Sequence, residues 1–144
     1  MELEEKTRSK VKRKLRIDRK RLAYSFKYAF QGIKQSYKGE QNLKIHTFIA
    51  ILVIVFAFFL KISFFEWVIV LVLIGLVLMA EFFNTAIEYT VDLASPKIHP
   101  LAKAAKDTAS AGVLVIAIIS AIIGLLIFVP KIIEYLGGLQ WSKN

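Results

Sequence analysis

The sequence predicts an all-α integral membrane protein, in which an N-terminal amphipathic surface helix precedes three transmembrane helices. Apolar residues make up 56% of the 144-residue chain. Its mean hydropathy of +0.55 is high for a soluble domain of this size. Three long apolar segments follow residue 44, and a stretch with one apolar and one basic helical face comes before them. These observations together define the fold class.

Charge is unevenly distributed along the chain. The net charge is +9, and fourteen of the twenty Lys and Arg residues lie at or before Lys44. Such a basic region would suit nucleic acid or an anionic membrane surface. Because long apolar segments follow the basic region, the membrane surface is the expected partner, and no nucleic-acid partner is expected. The chain contains no cysteine, which excludes disulfides, a thiol nucleophile and zinc–thiolate sites.

The N-terminal region divides into a basic extension, residues 1–14, and the amphipathic surface helix, residues 15–40. The apolar face of this helix carries Leu15, Leu22, Phe26, Phe30, Ile33 and Tyr37. The opposite side carries Arg16, Lys20, Lys27, Lys34 and Lys38. Apolar and basic faces at helical spacing are typical of a helix that lies in the headgroup region of a bilayer.

Residues 41–136 form the predicted membrane core, with spans at about 45–62, 64–90 and 107–130, and residues 137–144 form a tail. Lys and Arg are abundant before the first span, and three lysines occur in the loop of residues 91–106. Basic residues favour the cytoplasmic side of a membrane. The N-terminus and this loop are therefore expected in the cytoplasm, and the C-terminus outside.

A polar stripe interrupts the apolar pattern at the end of the second span. In the segment EFFNTAIEYTVD, Glu81, Asn84, Glu88 and Asp92 follow one another at intervals of three, four and four residues. On a helix these side chains fall within a sector of about 80°. A carboxylate at membrane depth costs at least about 2.5–3.5 kcal/mol on insertion scales, so it requires a partner, a cation or water.

Further polar residues are expected at the same membrane face. Lys106 and Asp107 begin the third span, and Glu40 lies just before the first span. Acidic groups beside a lysine suit Mg²⁺, which uses one or two carboxylates together with the phosphates of a nucleotide. The sequence contains no P-loop, kinase glycine-rich loop or G-x-G-x-x-G, so a nucleotide site would be of another type.

EFFNTAIEYTVD followed by AKDTASAGVL resembles the signature of the small bacterial membrane lipid kinases, the diacylglycerol kinase and undecaprenol kinase family. The resemblance covers roughly residues 21–128. It implies an enzyme of the bacterial plasma membrane that transfers phosphate from ATP, with Mg²⁺, to the hydroxyl of a membrane lipid alcohol. It also implies a homotrimer whose active sites lie between subunits, on the cytoplasmic side.

The resemblance implies a role for each matching residue. Glu81 corresponds to the general base at the lipid hydroxyl, Glu40 and Glu88 correspond to the magnesium ligands, and Ser110 lies on the substrate side. Ala109 stands where many relatives have glycine. The remaining matches are to the nucleotide site, and they are Arg21, Tyr28, Asn84, Asp92, Lys97, His99, Lys106 and Asp107.

The lipid acceptor remains open between two alternatives. The basic N-terminus and the run Lys38–Asn42 resemble the Gram-positive branch of the family, whose preferred acceptor is undecaprenol. Diacylglycerol is the alternative. Interchangeable Leu, Ile, Val and Phe residues would form either lipid pocket, so composition does not separate the two.

Two other classes of function are compatible with the membrane segments. A small ion- or proton-conducting oligomer could use Glu81 as its intramembrane carboxylate, but it would not require Glu40 or Lys106 nearby. A non-catalytic adaptor could bind anionic lipid through the basic N-terminus, but it leaves the polar stripe unexplained. His46, at the start of the first span, is interpreted as an interfacial or capping residue rather than a ligand.

Overall fold

A computed structural model describes residues 19–141, with side chains through residue 137. The helices are α1 (Arg19–Gly39), α2 (Gln41–Phe59), α3 (Phe64–Ala94) and α4 (Pro100–Trp141). No β-strand occurs within residues 19–141, and the all-α prediction is confirmed. The predicted extension of residues 1–14, the start of the surface helix and the last three residues of the tail lie outside the described residues.

The chain divides into two compact units, with the boundary between Gln35 and Ser36. In the N-terminal unit, the apolar row of α1 is exposed, and it consists of Leu22, Phe26, Phe30 and Ile33. Tyr24 and Tyr28 stack beside it, with ring centroids 6.2 Å apart. The described part of this unit thus leaves an apolar helical face uncovered, as a helix lying at a bilayer surface requires.

In the second unit, three helices are long and apolar enough to cross a membrane, which confirms the three predicted spans. Their apolar ranges are Gln41–Phe59, Phe64–Ala94 and Pro100–Gly137. Helix α3 runs without interruption from its apolar half into the polar stripe. The third predicted span ends at Pro130, whereas α4 itself continues through Pro130 to Trp141. Transmembrane helices tolerate proline when neighbouring groups satisfy the freed backbone carbonyl.

The turn between α2 and α3 is closed by hydrogen bonds at both helix ends. The N–H of Ile62 donates to the carbonyl of Ala57, and the N–H of Lys61 donates to that of Phe58. Lys61 adopts a positive φ of 48°, so this C-terminus is a Schellman motif. Ser63 then caps α3 and forms a reciprocal capping box with Glu66.

The apolar core lies at this turn end of the bundle. Ala57, Ile62, Val70 and Ile127 form its buried cluster, which joins α2, α3 and α4. Helix α3 packs most extensively against α4 and also against α2. Most other large apolar side chains are exposed, which suits helices surrounded by lipid or by neighbouring subunits. The polar stripe lies at the opposite end of α3, where a different set of contacts holds the helices.

Candidate functional site

The first half of the polar stripe of α3 faces the interior of the bundle. Glu81 is 1% exposed, Asn84 is 5% exposed and Thr85 is 1% exposed. The hydroxyl of Thr85 donates to the carbonyl of Glu81 at 2.9 Å, so its hydrogen bond remains within the helix. Phe83, in the same two turns, is 63% exposed and marks the outward face. The carboxylate at membrane depth is therefore sheltered by protein, as the cost of exposing it to lipid demands.

Asn84 connects two of the predicted site residues. Its amide nitrogen donates to Oε1 of Glu88 at 3.1 Å. Its amide oxygen accepts from the Ser110 hydroxyl on α4 at 3.4 Å. The bond to Glu88 spans one turn of α3, whereas the bond to Ser110 crosses between helices. One amide thus orients a carboxylate and fixes α4 beside it.

Glu81 has a neighbour that the sequence analysis did not identify. Nε2 of His46, on α2, lies 3.2 Å from Oε1 of Glu81. This contact does not have the geometry of a hydrogen bond, and Oε1 has no hydrogen-bond partner among the described residues. Because a short turn makes α2 and α3 antiparallel, residues equally far from it lie at similar depth. His46 lies 14 residues before Leu60, and Glu81 lies 17 residues after Phe64. These similar distances from the turn could have predicted that the two residues lie near each other.

Lys106 links α4 to the acidic end of α3. Its Nζ lies 2.6 Å from Oδ1 of Asp92. The carboxylates of Glu40 and Glu88 also act electrostatically on Lys106. The same two carboxylates act on Glu81. Lys106, Asp92, Glu40, Glu88 and Glu81 thus form one electrostatic cluster, which we call the carboxylate cluster.

Glu40 lies at the junction between α1 and α2. It is the N-cap residue of α2, with an extended backbone, but its side chain makes no capping hydrogen bond. Its backbone N–H donates to the carbonyl of Ser36 at 2.9 Å. The backbone of Glu40 is therefore held in place, while its carboxylate is not occupied by the cap. Close by, the hydroxyls of Tyr37 and Thr47 lie 2.6 Å apart and connect α1 to α2.

Other predicted residues make separate contacts. Asp107 pairs with Lys103, one turn earlier on the exposed side of α4. His99 accepts a hydrogen bond from the N–H of Leu101 through Nδ1 at 3.2 Å, and so caps the start of α4. The backbone carbonyl of Lys97 accepts from the Ser95 hydroxyl at 3.0 Å. Arg21 and Tyr28 belong to the N-terminal unit.

The carboxylate cluster does not complete a metal site by itself. Within residues 19–141, no three His, Asp or Glu side chains are grouped closely enough to hold a metal ion. Glu40 and Glu88 supply two carboxylates, and Mg²⁺ commonly takes one or two from protein while phosphates and water complete its shell. The donor set therefore fits Mg²⁺ bound together with a nucleotide, and does not fit an all-protein cage.

An apolar groove opens between α3 and α4 beside the buried amide. It has a volume of about 340 Å³ and contains Asn84 as its only polar side chain. The other lining residues are Leu76, Met79, Ala80, Phe83, Ile87, Ala109, Gly112, Val113 and Ile116. An apolar groove that ends at a polar cluster can accept a molecule with a hydrocarbon chain and a polar head.

Most of this chain is similar to known proteins. The family model for prokaryotic diacylglycerol kinase matches residues 27–128. The undecaprenol kinase of Bacillus subtilis (strain 168) is 49% identical over 108 residues, which cover 75% of this chain and 88% of that protein. The diacylglycerol kinase of Haemophilus influenzae is 34% identical, covering 74% of this chain and 92% of that protein. The diacylglycerol kinase of Helicobacter pylori (strain ATCC 700392 / 26695) is 35% identical, covering 67% of this chain and 75% of that protein.

We predict that Asn84→Ala lowers the free energy of unfolding by about 1–2 kcal/mol, because the substitution removes an interhelical hydrogen bond from a buried site. Thr90→Val is the matched control on α3, since Thr90 is exposed and its hydroxyl bonds only to the carbonyl of Ala86. The control should change stability by less than about 0.5 kcal/mol. Denaturant titration in detergent micelles measures both values, and equal stability of the two variants would contradict the bridging role of Asn84.

Proposed function

The chain belongs to the prokaryotic diacylglycerol kinase family and is therefore a lipid kinase, and we propose that it phosphorylates undecaprenol with ATP and Mg²⁺. The product would be undecaprenyl phosphate. The main support for this acceptor is the 49% identity to the undecaprenol kinase of Bacillus subtilis. The two relatives named diacylglycerol kinase that are described above are 34% and 35% identical over 109 and 96 residues, so diacylglycerol remains the alternative acceptor.

We infer that Glu81 is the general base. A base must lie where the acceptor hydroxyl can reach it, and it must keep an oxygen that other protein groups do not occupy. Glu81 is buried, and its Oε1 accepts no hydrogen bond within the described chain, with Nε2 of His46 at 3.2 Å as its neighbour. The apolar groove reaches Ala80 and Asn84, which flank it on α3. A lipid chain in this groove would bring its hydroxyl to Glu81, with Ser110 on the same side.

Glu40 and Glu88 are proposed to hold Mg²⁺ together with the phosphates of ATP. Hydrogen bonds position both residues. The backbone N–H of Glu40 bonds to the carbonyl of Ser36, and the Glu88 carboxylate accepts a hydrogen bond from Asn84. The bound metal would neutralise negative charge on the phosphates during transfer. Both side chains retain capacity for a cation, since neither forms an ion pair among the described residues.

Lys106 and Asp107 are proposed to contact the nucleotide at the start of α4. Lys106 is paired with Asp92, but both side chains are partly exposed, at 34% and 63%. An exposed pair contributes only about 0–1 kcal/mol, so a phosphate can replace Asp92 at little cost. The other residues proposed for the nucleotide site are Arg21, Tyr28, Asn84, Asp92, Lys97 and His99.

This set of groups suits phosphoryl transfer. The reaction requires alignment of acceptor and donor and stabilisation of charge more than covalent participation by the protein. Glu81 would accept the hydroxyl proton, the lipid oxygen would attack the γ-phosphorus, and ADP would leave. The carboxylate cluster supplies the base and the metal ligands within a single patch of α2, α3 and α4.

A homotrimer with sites between subunits is proposed as the working assembly. Two observations support this proposal: residues 19–141 of one chain provide fewer than three grouped metal ligands, and the apolar helices are largely uncovered. The N-terminus and the site are placed on the cytoplasmic side by the distribution of Lys and Arg, with the C-terminus outside. ATP is available on that side of the membrane.

The acceptor is tested by phosphate transfer from labelled ATP in mixed micelles that contain Mg²⁺ and either undecaprenol or diacylglycerol. We expect undecaprenol to be labelled with the higher kcat/KM. Preferential labelling of diacylglycerol would preserve the chemistry and assign the alternative acceptor. Label in neither lipid, from a folded oligomer, would contradict the kinase assignment and favour an ion-conducting oligomer.

We predict that Glu81→Gln reduces kcat by at least about 100-fold, because an amide cannot accept the hydroxyl proton. The amide has nearly the same shape, so the Kd for MgATP should stay within about twofold. Single-turnover transfer and equilibrium nucleotide binding, measured on the same preparation, separate the two effects. A lost MgATP affinity would remove Glu81 from the role of base.

We predict that Glu88→Gln raises the Mg²⁺ concentration needed for half-maximal activity by at least about tenfold, because the variant loses one of two anionic ligands. Glu134→Gln makes the same chemical change on an exposed turn of α4 and serves as the control. Magnesium titration at saturating ATP measures both. An unchanged magnesium requirement in Glu88→Gln would exclude Glu88 as a ligand.

A further inference from the structure

We propose that His46 takes the proton that Glu81 abstracts from the lipid hydroxyl and passes it to water. The proposal rests on the proposed function and adds a second catalytic proton carrier to it. Phosphorylation of an alcohol releases one proton in each turnover. A buried base that acquires this proton must lose it before the next turnover, so the proton needs a route out of the site.

Burial closes the direct route for Glu81. Its side chain is 1% exposed, so bulk water does not reach the carboxyl group within the described chain. Oε1 accepts no hydrogen bond within the described chain. Two other carboxylates act electrostatically on Glu81: that of Glu88, on α3, and that of Glu40, at the junction between α1 and α2. Both are proposed to be engaged by the cation during the reaction.

His46 provides the missing route. Its Nε2 lies 3.2 Å from Oε1 of Glu81, and its side chain is 24% exposed. It lies in the second turn of α2, next to the exposed residues Gln41, Asn42 and Lys44. Imidazole can accept a proton at one ring nitrogen and release one from the other. The ring therefore connects a buried oxygen with the polar end of the bundle.

The proton transfer is balanced at every stage. The hydroxyl O–H bond of the lipid breaks as its oxygen bonds to phosphorus, and the proton moves to Glu81. The carboxyl O–H then breaks as a new N–H bond forms on neutral His46. The imidazolium gives one proton to water and returns to its neutral form. ADP leaves with the electron pair of the broken phosphate bond, and no further reactant is required.

The charges around His46 are compatible with a transient imidazolium. Glu81 faces it from α3, and Glu40 and Glu88 belong to the same carboxylate cluster. Lys106, the cationic member of that cluster on α4, is held by Asp92 at 2.6 Å. A brief positive charge on the ring would therefore face the Glu81 carboxylate at 3.2 Å, which lowers its Coulomb energy.

The alternative is that His46 only holds the Glu81 side chain in place. His46→Gln distinguishes the two roles because glutamine can contact Glu81 but cannot carry a proton. The relay predicts that kcat falls at least about tenfold while the KM for ATP changes by less than about twofold. It also predicts that the pH profile of kcat in His46→Gln differs from that of the wild type.

Rescue provides a second and independent measurement. His46→Ala leaves space for a free base, so added imidazole should raise the kcat of this variant at least about threefold. The increase should be proportional to the concentration of neutral imidazole. Thr47→Val is the control, since Thr47 lies on the same turn of α2 and its hydroxyl bonds to the Leu43 carbonyl and the Tyr37 hydroxyl, not to Glu81. Imidazole should leave the control and the wild type unaffected.

Two outcomes would overturn the relay. The first is a kcat of His46→Gln within about twofold of the wild-type kcat. The second is a lower kcat in His46→Ala that imidazole does not restore, together with a pH profile of kcat that matches the wild type. These results are distinguishable from failure of the kinase assignment, because that failure would abolish lipid phosphorylation in the wild type itself.

Discussion

The cost of placing a carboxylate within a membrane helix determines how the whole site is built. An ionised side chain at membrane depth loses several kcal/mol unless protein, water or a cation solvates it. Helix α3 meets this requirement by turning Glu81 toward α2 and α4, where it is 1% exposed. The helices must then remain in register for the site to persist, because rotation of α3 would carry the carboxylate toward lipid.

Register is maintained from both ends of the bundle. At one end, the Schellman motif and the capping box fix the short turn, and the apolar cluster around Val70 packs on it. At the other end, Asn84 bonds to Ser110 across α3 and α4. Tyr37 and Thr47 join α1 to α2 near Glu40. The polar contacts are few, but each joins two helices, so together they restrict both rotation and sliding.

Helical periodicity was sufficient to predict the three membrane helices and the polar stripe on one side of the second, because both depend only on neighbours along one helix. The pairing of His46 with Glu81 depends instead on the register between two helices. That register is set by the backbone of the turn, including the positive φ of Lys61, which composition does not reveal. The hydrogen bond from Ser110 to Asn84 is likewise an interhelical contact. Local patterns therefore predicted which residues share one side of a helix, but did not predict which residues meet across helices.

Exposure along α3 changes in the direction that the proposed chemistry requires. Glu81, the proposed base, is buried beside an apolar groove, whereas Asp92, three turns further, is 63% exposed and pairs with a partly exposed lysine. A dry environment strengthens the electrostatic effect of a fixed base on a lipid hydroxyl. A solvated end permits a water-soluble nucleotide to enter and leave by exchanging weak ion pairs. A single helix that passes from lipid to water can therefore serve two substrates that do not share a solvent.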